Sequence, residues 1–290
     1  MFGDRCEFSD GILDTMDSLP VQIRDLVPKR FQPRTVNHAQ RELLKPVDVT
    51  LAIFNRRLHL LESDESKQLS DLFNPDELAA KTRELLRHKK EHLSIQLLLP
   101  STHFLATSHV LPDLPKESLI SALRLQVEDT LPSFERPIAI AFDSAKAQVE
   151  SETLVFWHEQ ETLDKLFESF KRQGLFLAIV KPRILALEFS GKSSVVLERD
   201  EISETLVVFE IGQLKVWKQV YTKDLTQDAL RERWQATISE FQMMPVHEVD
   251  SCQTLKKVFT ASSGGNFGFF PIGAIAVSYT HLTLPTNREV

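Results

Sequence analysis

The sequence predicts an α/β fold of two lobes with a mixed sheet in each lobe. Strand-like segments alternate with amphipathic, helix-like segments, which is typical of layered α/β proteins. The alternation occurs over residues 46–145 and again over residues 146–266. Hydrophobic residues make up 42% of the 290 residues, which is enough to bury a core in each lobe.

The first predicted elements are a β-hairpin and a helix. The segment Asp48–Phe54 alternates between apolar and polar residues, and Leu58–Leu61 returns after the turn Asn55-Arg56-Arg57. A helix is predicted to begin at Asn74-Pro75, because asparagine suits the N-cap and proline suits the first helical position.

Residues 93–142 are predicted to form three strands and one helix. The apolar run Leu93–Leu99 is typical of a strand that is buried on both faces, and Phe104–Leu111 is predicted as the next strand. A helix is expected after Pro115 because apolar residues recur at helical spacing, and Ile138–Phe142 follows as a strand.

The second half is predicted to repeat the pattern. A helix over Glu161–Gln173 should end at Gly174, and Asp224 with Gln227 resembles a capping box before a later helix. We expect Glu168 and Arg172 to pair on the earlier helix. The predicted strands are Thr153–Trp157, Phe176–Val180, Ser194–Leu197, Thr205–Phe209 and Leu214–Val220.

Local patterns in residues 93–143 resemble a known family. A strand ends in Leu-Leu-Pro, a second ends in Leu-Pro, a helix reads ALRLQVEDTLP, and a strand reads IAIAFD. This order resembles the actin-like cytoplasmic domain shared by the type II secretion system protein L and the type IV pilus assembly protein M. The resemblance covers Val47 to Gln242 and implies an actin-like (ribonuclease H-like) two-lobed fold.

The resemblance implies a nucleotide site built from two glycine-turn hairpins, each with an acidic residue. Asp48 lies on the expected first strand, but no glycine follows it. Glu210 and Gly212 match the second hairpin more closely, although Glu replaces Asp. Because only glycine lets the backbone approach a phosphate closely, we expect a vestigial site with no cofactor or, at most, weak Mg-ATP binding.

Other chemical motifs are weak. The segment Ala186–Ser193 fits a relaxed P-loop pattern, but a strand-like segment follows where a helix is needed. His103 and His109 are expected on one strand, too far apart for one metal, and His247-Glu248 lacks the second histidine of a helical zinc motif. We therefore expect no metal site and no catalytic residues.

By resemblance, the protein is expected to be a non-catalytic scaffold at the cytoplasmic face of a bacterial inner membrane. It would couple a secretion or pilus assembly ATPase to inner-membrane platform proteins, and the chain could form a homodimer. The alternative is an active actin-superfamily ATPase or small-molecule kinase, which a second Asp-x-Gly or a Gly-Gly before the last helix would support. Gly264-Gly265 lies beyond that helix. The net charge of −7 disfavours nucleic acid as a partner.

The two ends of the sequence are expected to lie outside the fold. Residues 1–45 are interpreted as a partly disordered extension, with a docking segment for a partner or a lipid surface as the alternative, and residues 267–276 as a truncated apolar segment. Residues 277–290 resemble a translated transposase mosaic-end sequencing adapter and are interpreted as non-native. We expect the natural chain to continue into a membrane anchor, as in the secretion branch, unless residues 267–275 form the last strand of the second lobe.

Overall fold

A computed structural model describes residues 47–71, 73–89, 93–110, 112, 114, 116–130, 137–142, 152–187, 192–211, 213–223, 225–241, 243–258 and 268–269. The predictions made for residues 1–45, Gly212, Gly264-Gly265 and residues 277–290 lie outside these ranges. No helix among the described residues has both the length and the apolar character that a membrane span requires.

The elements follow the predicted alternation. The strands are β1 (Val49–Phe54), β2 (Arg57–Leu60), β3 (Ser66–Gln68), β4 (Ser94–Leu99), β5 (Leu105–Val110), β6 (Ile138–Ala141), β7 (Glu152–Glu159), β8 (Phe176–Pro182), β9 (Ser194–Arg199), β10 (Ser203–Glu210), β11 (Gln213–Tyr221) and β12 (Val246–Val249). The α-helices are α1 (Pro75–Leu85), α2 (Lys116–Thr130), α3 (Gln160–Arg172), α4 (Gln227–Glu240) and α5 (Cys252–Val258). The sequence analysis did not predict β3, β12 or α5.

Two sheets repeat one strand pattern. The first sheet has the order β3-β2-β1-β4-β8, with antiparallel pairs on one side of β1 and parallel pairs on the other. The second has the order β11-β10-β9-β12, again antiparallel on one side of β9 and parallel on the other. This duplicated order is that of the actin-like, ribonuclease H-like fold, so the predicted fold class is confirmed.

A third, smaller sheet extends from the first lobe. Its order is β5-β7-β6, it is antiparallel, and its strands lie between β4 and β8 in sequence. Leu123 and Val127 of α2 are buried against this sheet.

The boundary between the lobes differs from the predicted one at residues 145 and 146. Strand β8 pairs with β4 and completes the first sheet, and β7 lies in the small sheet with β5. The first lobe therefore runs to Leu187, and the second begins at Ser194. The sequence misplaces the boundary because a parallel strand can join its sheet after a long insertion that leaves no local signal.

The lobes share a core because β1 alternates its side chains between two layers. Leu51 and Ile53 pack in a cluster that includes residues of α1 and α3. Ala52 and Phe54 belong to a second cluster that contains Val196 of β9 and residues of β10 and α5. One face of the first sheet thus packs against the second lobe.

Several local predictions can be compared with the structure directly. The Asn74 side chain caps α1 by accepting hydrogen bonds from the backbone amides of Asp76 and Glu77, as predicted. Helix α4 begins differently, because Thr226 is its N-cap and accepts a bond from the Ala229 amide. The predicted capping residue Asp224 lies outside the described residues.

The charge pairing of Arg172 also differs from the prediction. Its Nη2 lies 2.8 Å from the Asp76 carboxylate on α1, rather than pairing with Glu168 on its own helix. The contact between α1 and α3, which sequence spacing cannot reveal, brings these two charges together.

Candidate functional site

The β1–β2 and β9–β10 turns occupy equivalent places in the two sheets, since each joins the first two strands of its lobe. They meet between the lobes, where Arg56 Nε lies 3.7 Å from Glu201 Oε2. The resemblance implies that such a pair of turns holds the phosphates of a nucleotide. Here a basic and an acidic side chain connect the two turns directly.

The β1–β2 turn is built from bulky residues. Asn55 and Arg56 both have positive φ angles, 46° and 53°, as a tight two-residue hairpin turn requires. Asparagine tolerates this region, whereas arginine adopts it at a steric cost. A phosphate loop needs close approach to backbone amides, and the turn has no glycine to permit it.

A buried arginine lies at the centre of the site. Arg183 follows β8 in a short 3₁₀ helix, and its side chain is 0% exposed. Its Nη2 lies 3.0 Å from Glu198 Oε1 and 3.2 Å from Asp200 Oδ2, both in the second lobe. Arg183 Nη1 donates to the Ile53 carbonyl, and the guanidinium carbon lies 3.9 Å from the centroid of the Phe54 ring.

Glu198 is tied to the first lobe through more than this ion pair. Its carboxylate accepts hydrogen bonds from the Ser101 amide, at 3.1 Å, and from the Ser101 hydroxyl, at 2.9 Å. One guanidinium therefore faces two carboxylates in a buried setting. The negative charges of Glu198 and Asp200 disfavour a phosphate at this place, because a further anion would stand beside them.

Two neutral histidines border this network. Burial lowers the pKa of His103 to about 4, with His158 and Arg183 adding to the effect and Asp200 opposing it. Burial likewise lowers the pKa of His158. His103 stacks on Phe73 with ring centroids 4.9 Å apart. Both imidazoles are therefore uncharged at neutral pH and supply no positive charge for a phosphate.

A cavity of about 320 Å³ lies beside the β1–β2 turn. His59 lines it, with a pKa lowered by burial and by the nearby Arg57 and Lys256. Lys256 of α5 crosses this region and lies 3.1 Å from Asp64, which is a further tie between the lobes. The lining also contains Cys252, whose pKa is raised by burial, so its thiol is a poor nucleophile.

The residues predicted from sequence do not form a nucleotide site together. Asp48 precedes β1 and accepts a 2.8 Å hydrogen bond from the Ser94 amide, at the end of the strand opposite the β1–β2 turn. Glu210 ends β10, so it too lies opposite the β9–β10 turn. Gly212 is outside the described residues. Strand order makes β9–β10, not β10–β11, the counterpart of the first hairpin.

The other sequence motifs can be placed as well. Ala186–Ser193 is followed by strand β9, as predicted, and not by the helix that a P-loop requires. His103 lies in a 3₁₀ turn and not on the strand with His109, which corrects that prediction. Among the described residues, no group of three or more His, Cys, Asp or Glu side chains is arranged to hold a metal ion.

Arg183, Glu198 and Asp200 were not predicted from the sequence as functional residues. A signal was present, because charged residues directly follow or interrupt apolar strands at these positions. Charged side chains are seldom buried unless they are paired. The sequence could thus have indicated buried charges, but not which partners they find across the two lobes.

No protein-family profile matches the sequence, and no curated protein matches it. Solved structures with a similar fold include the PilM–PilN type IV pilus biogenesis complex, at 16% identity, 72% of this chain, 68% of that chain and a TM-score of 0.49. The cytoplasmic domain of EpsL, an inner-membrane component of the type II secretion system of Vibrio cholerae, is similar at 14% identity, 61% of this chain, 72% of that chain and a TM-score of 0.43.

A third similar structure is a Bacteroides thetaiotaomicron protein with an actin-like ATPase fold and unknown function. It shares 11% identity over 73% of this chain and 87% of that chain, with a TM-score of 0.39.

Proposed function

We propose that this protein is a non-catalytic, actin-like scaffold of a type II secretion or type IV pilus assembly platform. It couples a cytoplasmic assembly ATPase to inner-membrane components by protein–protein contacts. The family resemblance of residues 93–143 supports the choice of system. The ion-pair network around Arg183 supports the absence of catalysis, and it is the observation on which the proposal rests most directly.

The network favours a scaffold for two reasons. It joins the end of β1 to the β9–β10 turn, which is the region where an actin-like ATPase holds phosphates and their magnesium. It also holds the lobes together, whereas ATP-driven members of such folds need their lobes to open and close. A protein that transmits force between partners gains from lobes that do not move apart.

The cavity beside the β1–β2 turn is the feature that favours the alternative, an active ATPase or small-molecule kinase. Its described lining contains Asn55, Asp64 and Lys256 but no glycine. Asp64 and Lys256 already neutralise each other across it. Arg57, the other described cation of the lining, hydrogen-bonds to the Ser66 hydroxyl. A catalytic site would need a cation or backbone amides that make no such contacts and can bind phosphate, so we place this function second.

The partners and the location are part of the same proposal. The scaffold would lie at the cytoplasmic face of a bacterial inner membrane, and the full-length protein would carry a membrane anchor beyond the described residues. The β1–β2 turn, which is bulky and has no glycine, favours the secretion branch over the pilus branch.

Co-purification from the native host tests this proposal. Tagged protein with and without residues 1–45 would be isolated from solubilised membranes, and the captured proteins identified by mass spectrometry. We expect an assembly ATPase and an inner-membrane platform protein with at least one of the two versions. Capture of small-molecule-processing enzymes alone, with no secretion or pilus component, would contradict the proposal.

A further inference from the structure

Two residues near the end of the described chain pair with the first lobe. Phe269 forms an isolated antiparallel bridge with Val180 of β8. The Val180 amide donates to the Phe269 carbonyl at 2.8 Å, and the Phe269 amide donates to the Val180 carbonyl at 2.7 Å. The bridge lies on the free side of β8, at the edge of the first sheet.

The Phe269 side chain is held as firmly as its backbone. It is 0% exposed and belongs to the core cluster of the first lobe. Its ring stacks on Phe104 with centroids 5.5 Å apart and meets His158 edge-on at 6.4 Å. Full burial of one aromatic side chain removes a large apolar area from water and so stabilises the contact.

Gly268 is required for this approach. Its φ is +156°, and a Cβ atom at this position would lie 2.6 Å from Ile179 Cγ1 and 3.0 Å from the Val180 carbonyl oxygen. A φ of +156° is unfavourable for a residue with a Cβ, and the 2.6 Å contact would force either the Ile179 side chain or the chain at residue 268 to shift. Gly268 thus permits the close approach of the backbone, and Phe269 supplies the side chain that is buried in the core.

The preceding described element, α5, packs in the cluster between the lobes and follows β12 of the second sheet. The chain therefore returns from the second lobe to the first. We propose that Gly268-Phe269 is an anchor that fastens the C-terminal part of the chain to β8, the edge strand of the first lobe. This anchor is independent of the proposed function, because it does not require the protein to belong to an assembly platform.

Hydrogen exchange on the full chain tests the anchor. Phe269→Ala empties the aromatic site, and Gly268→Val blocks the approach to Ile179. We expect the Val180 amide to exchange roughly ten-fold faster or more in both variants, because it loses its hydrogen-bond acceptor and its cover. Met243→Ala is the matched control, since Met243 is 98% exposed in the second lobe.

Chymotrypsin provides the second readout, because residues 267, 269 and 270 are all phenylalanine. We expect slow cleavage after Phe269 in the wild type and in Met243→Ala, and rapid cleavage after Phe269 in Gly268→Val while β1 and β4 keep their exchange protection. Equal Val180 exchange in wild type and Phe269→Ala, or wild-type cleavage after Phe269 as fast as in Gly268→Val, would overturn the proposal. Gly268→Val guards against misreading a cavity effect, because it keeps the phenylalanine.

Discussion

Arg183 and Glu198 form an ion pair that joins the two lobes, with 3.0 Å between Nη2 and Oε1 and side-chain exposures of 0% and 2%. Each group has lost its water, and each depends on the other for compensation. A buried pair of this kind adds little net stability compared with apolar residues, but breaking it by removing one partner is costly. The ion pair therefore holds the two lobes together, and removal of either charge is expected to destabilise the protein.

The first prediction is that Arg183→Ala destabilises the protein by about 3–5 kcal/mol, the usual cost of leaving a buried charge without its partner. Glu198 and Asp200 would then face each other without a cation. Urea denaturation followed by far-UV circular dichroism measures the change in the free energy of unfolding.

Arg172→Ala is the control for this experiment. Arg172 pairs with Asp76 at 2.8 Å, but both side chains are more than half exposed, at 58% and 70%. Exposed pairs contribute about 0–1 kcal/mol. If Arg183→Ala lowered the free energy of unfolding no more than Arg172→Ala does, the Arg183 ion pairs would not hold the two lobes together.

The second prediction concerns acid stability. The pKa of His103 is about 4 in the folded protein, against an ordinary value of 6.5. Between these two pH values the unfolded chain binds a proton that the folded protein does not, so the free energy of unfolding falls as pH falls from 6.5 towards 4. Above pH 6.5 neither the folded nor the unfolded state binds this proton, so His103 does not lower the free energy of unfolding there.

Comparing the free energy of unfolding at pH 7 and pH 5 measures this effect. We expect His103→Gln to lose less stability between the two pH values than the wild type, with His158 accounting for part of what remains. His88→Gln, at an exposed position, should leave the difference unchanged. An identical pH dependence in His103→Gln and the wild type would refute the assignment.

The third prediction concerns the end of α3. Gly174 has a φ of +68°, and no atom lies within 4 Å of the position that a Cβ would take. Alanine there meets no clash, but it adopts the left-handed region at a cost of about 1–2 kcal/mol. Thermal denaturation should show Gly174→Asn to be less harmful than Gly174→Ala, because asparagine tolerates this region. Equal melting temperatures for both variants and the wild type would contradict it.

Features that depend only on neighbouring residues were predicted correctly from the sequence. The cap at Asn74, the stop at Gly174 and the strand Leu93–Leu99 each follow from neighbouring residues, and all three are present. The alternation of elements and the family resemblance then predicted the actin-like fold of two lobes with mixed sheets, whose strand order only the structure shows.

The predictions that failed depended on contacts between distant residues. Asp48 was placed at a phosphate turn because it lies on the right strand, yet it lies at the wrong end and hydrogen-bonds to the Ser94 amide. The boundary at residue 145 was wrong because β8 rejoins β4 after an inserted sheet. Arg183 was missed because its partners come from the second lobe.

The most direct test of the account is a calorimetric titration of the full chain with Mg-ATP. With the Arg56–Glu201 contact and the buried Arg183 pairs in the place of a phosphate site, we predict no saturable binding up to millimolar nucleotide. Saturable micromolar binding would contradict the claim that these ion pairs occupy the place of the phosphate site. Its loss in Gly212→Val would assign the site to the β10–β11 hairpin that the sequence analysis selected.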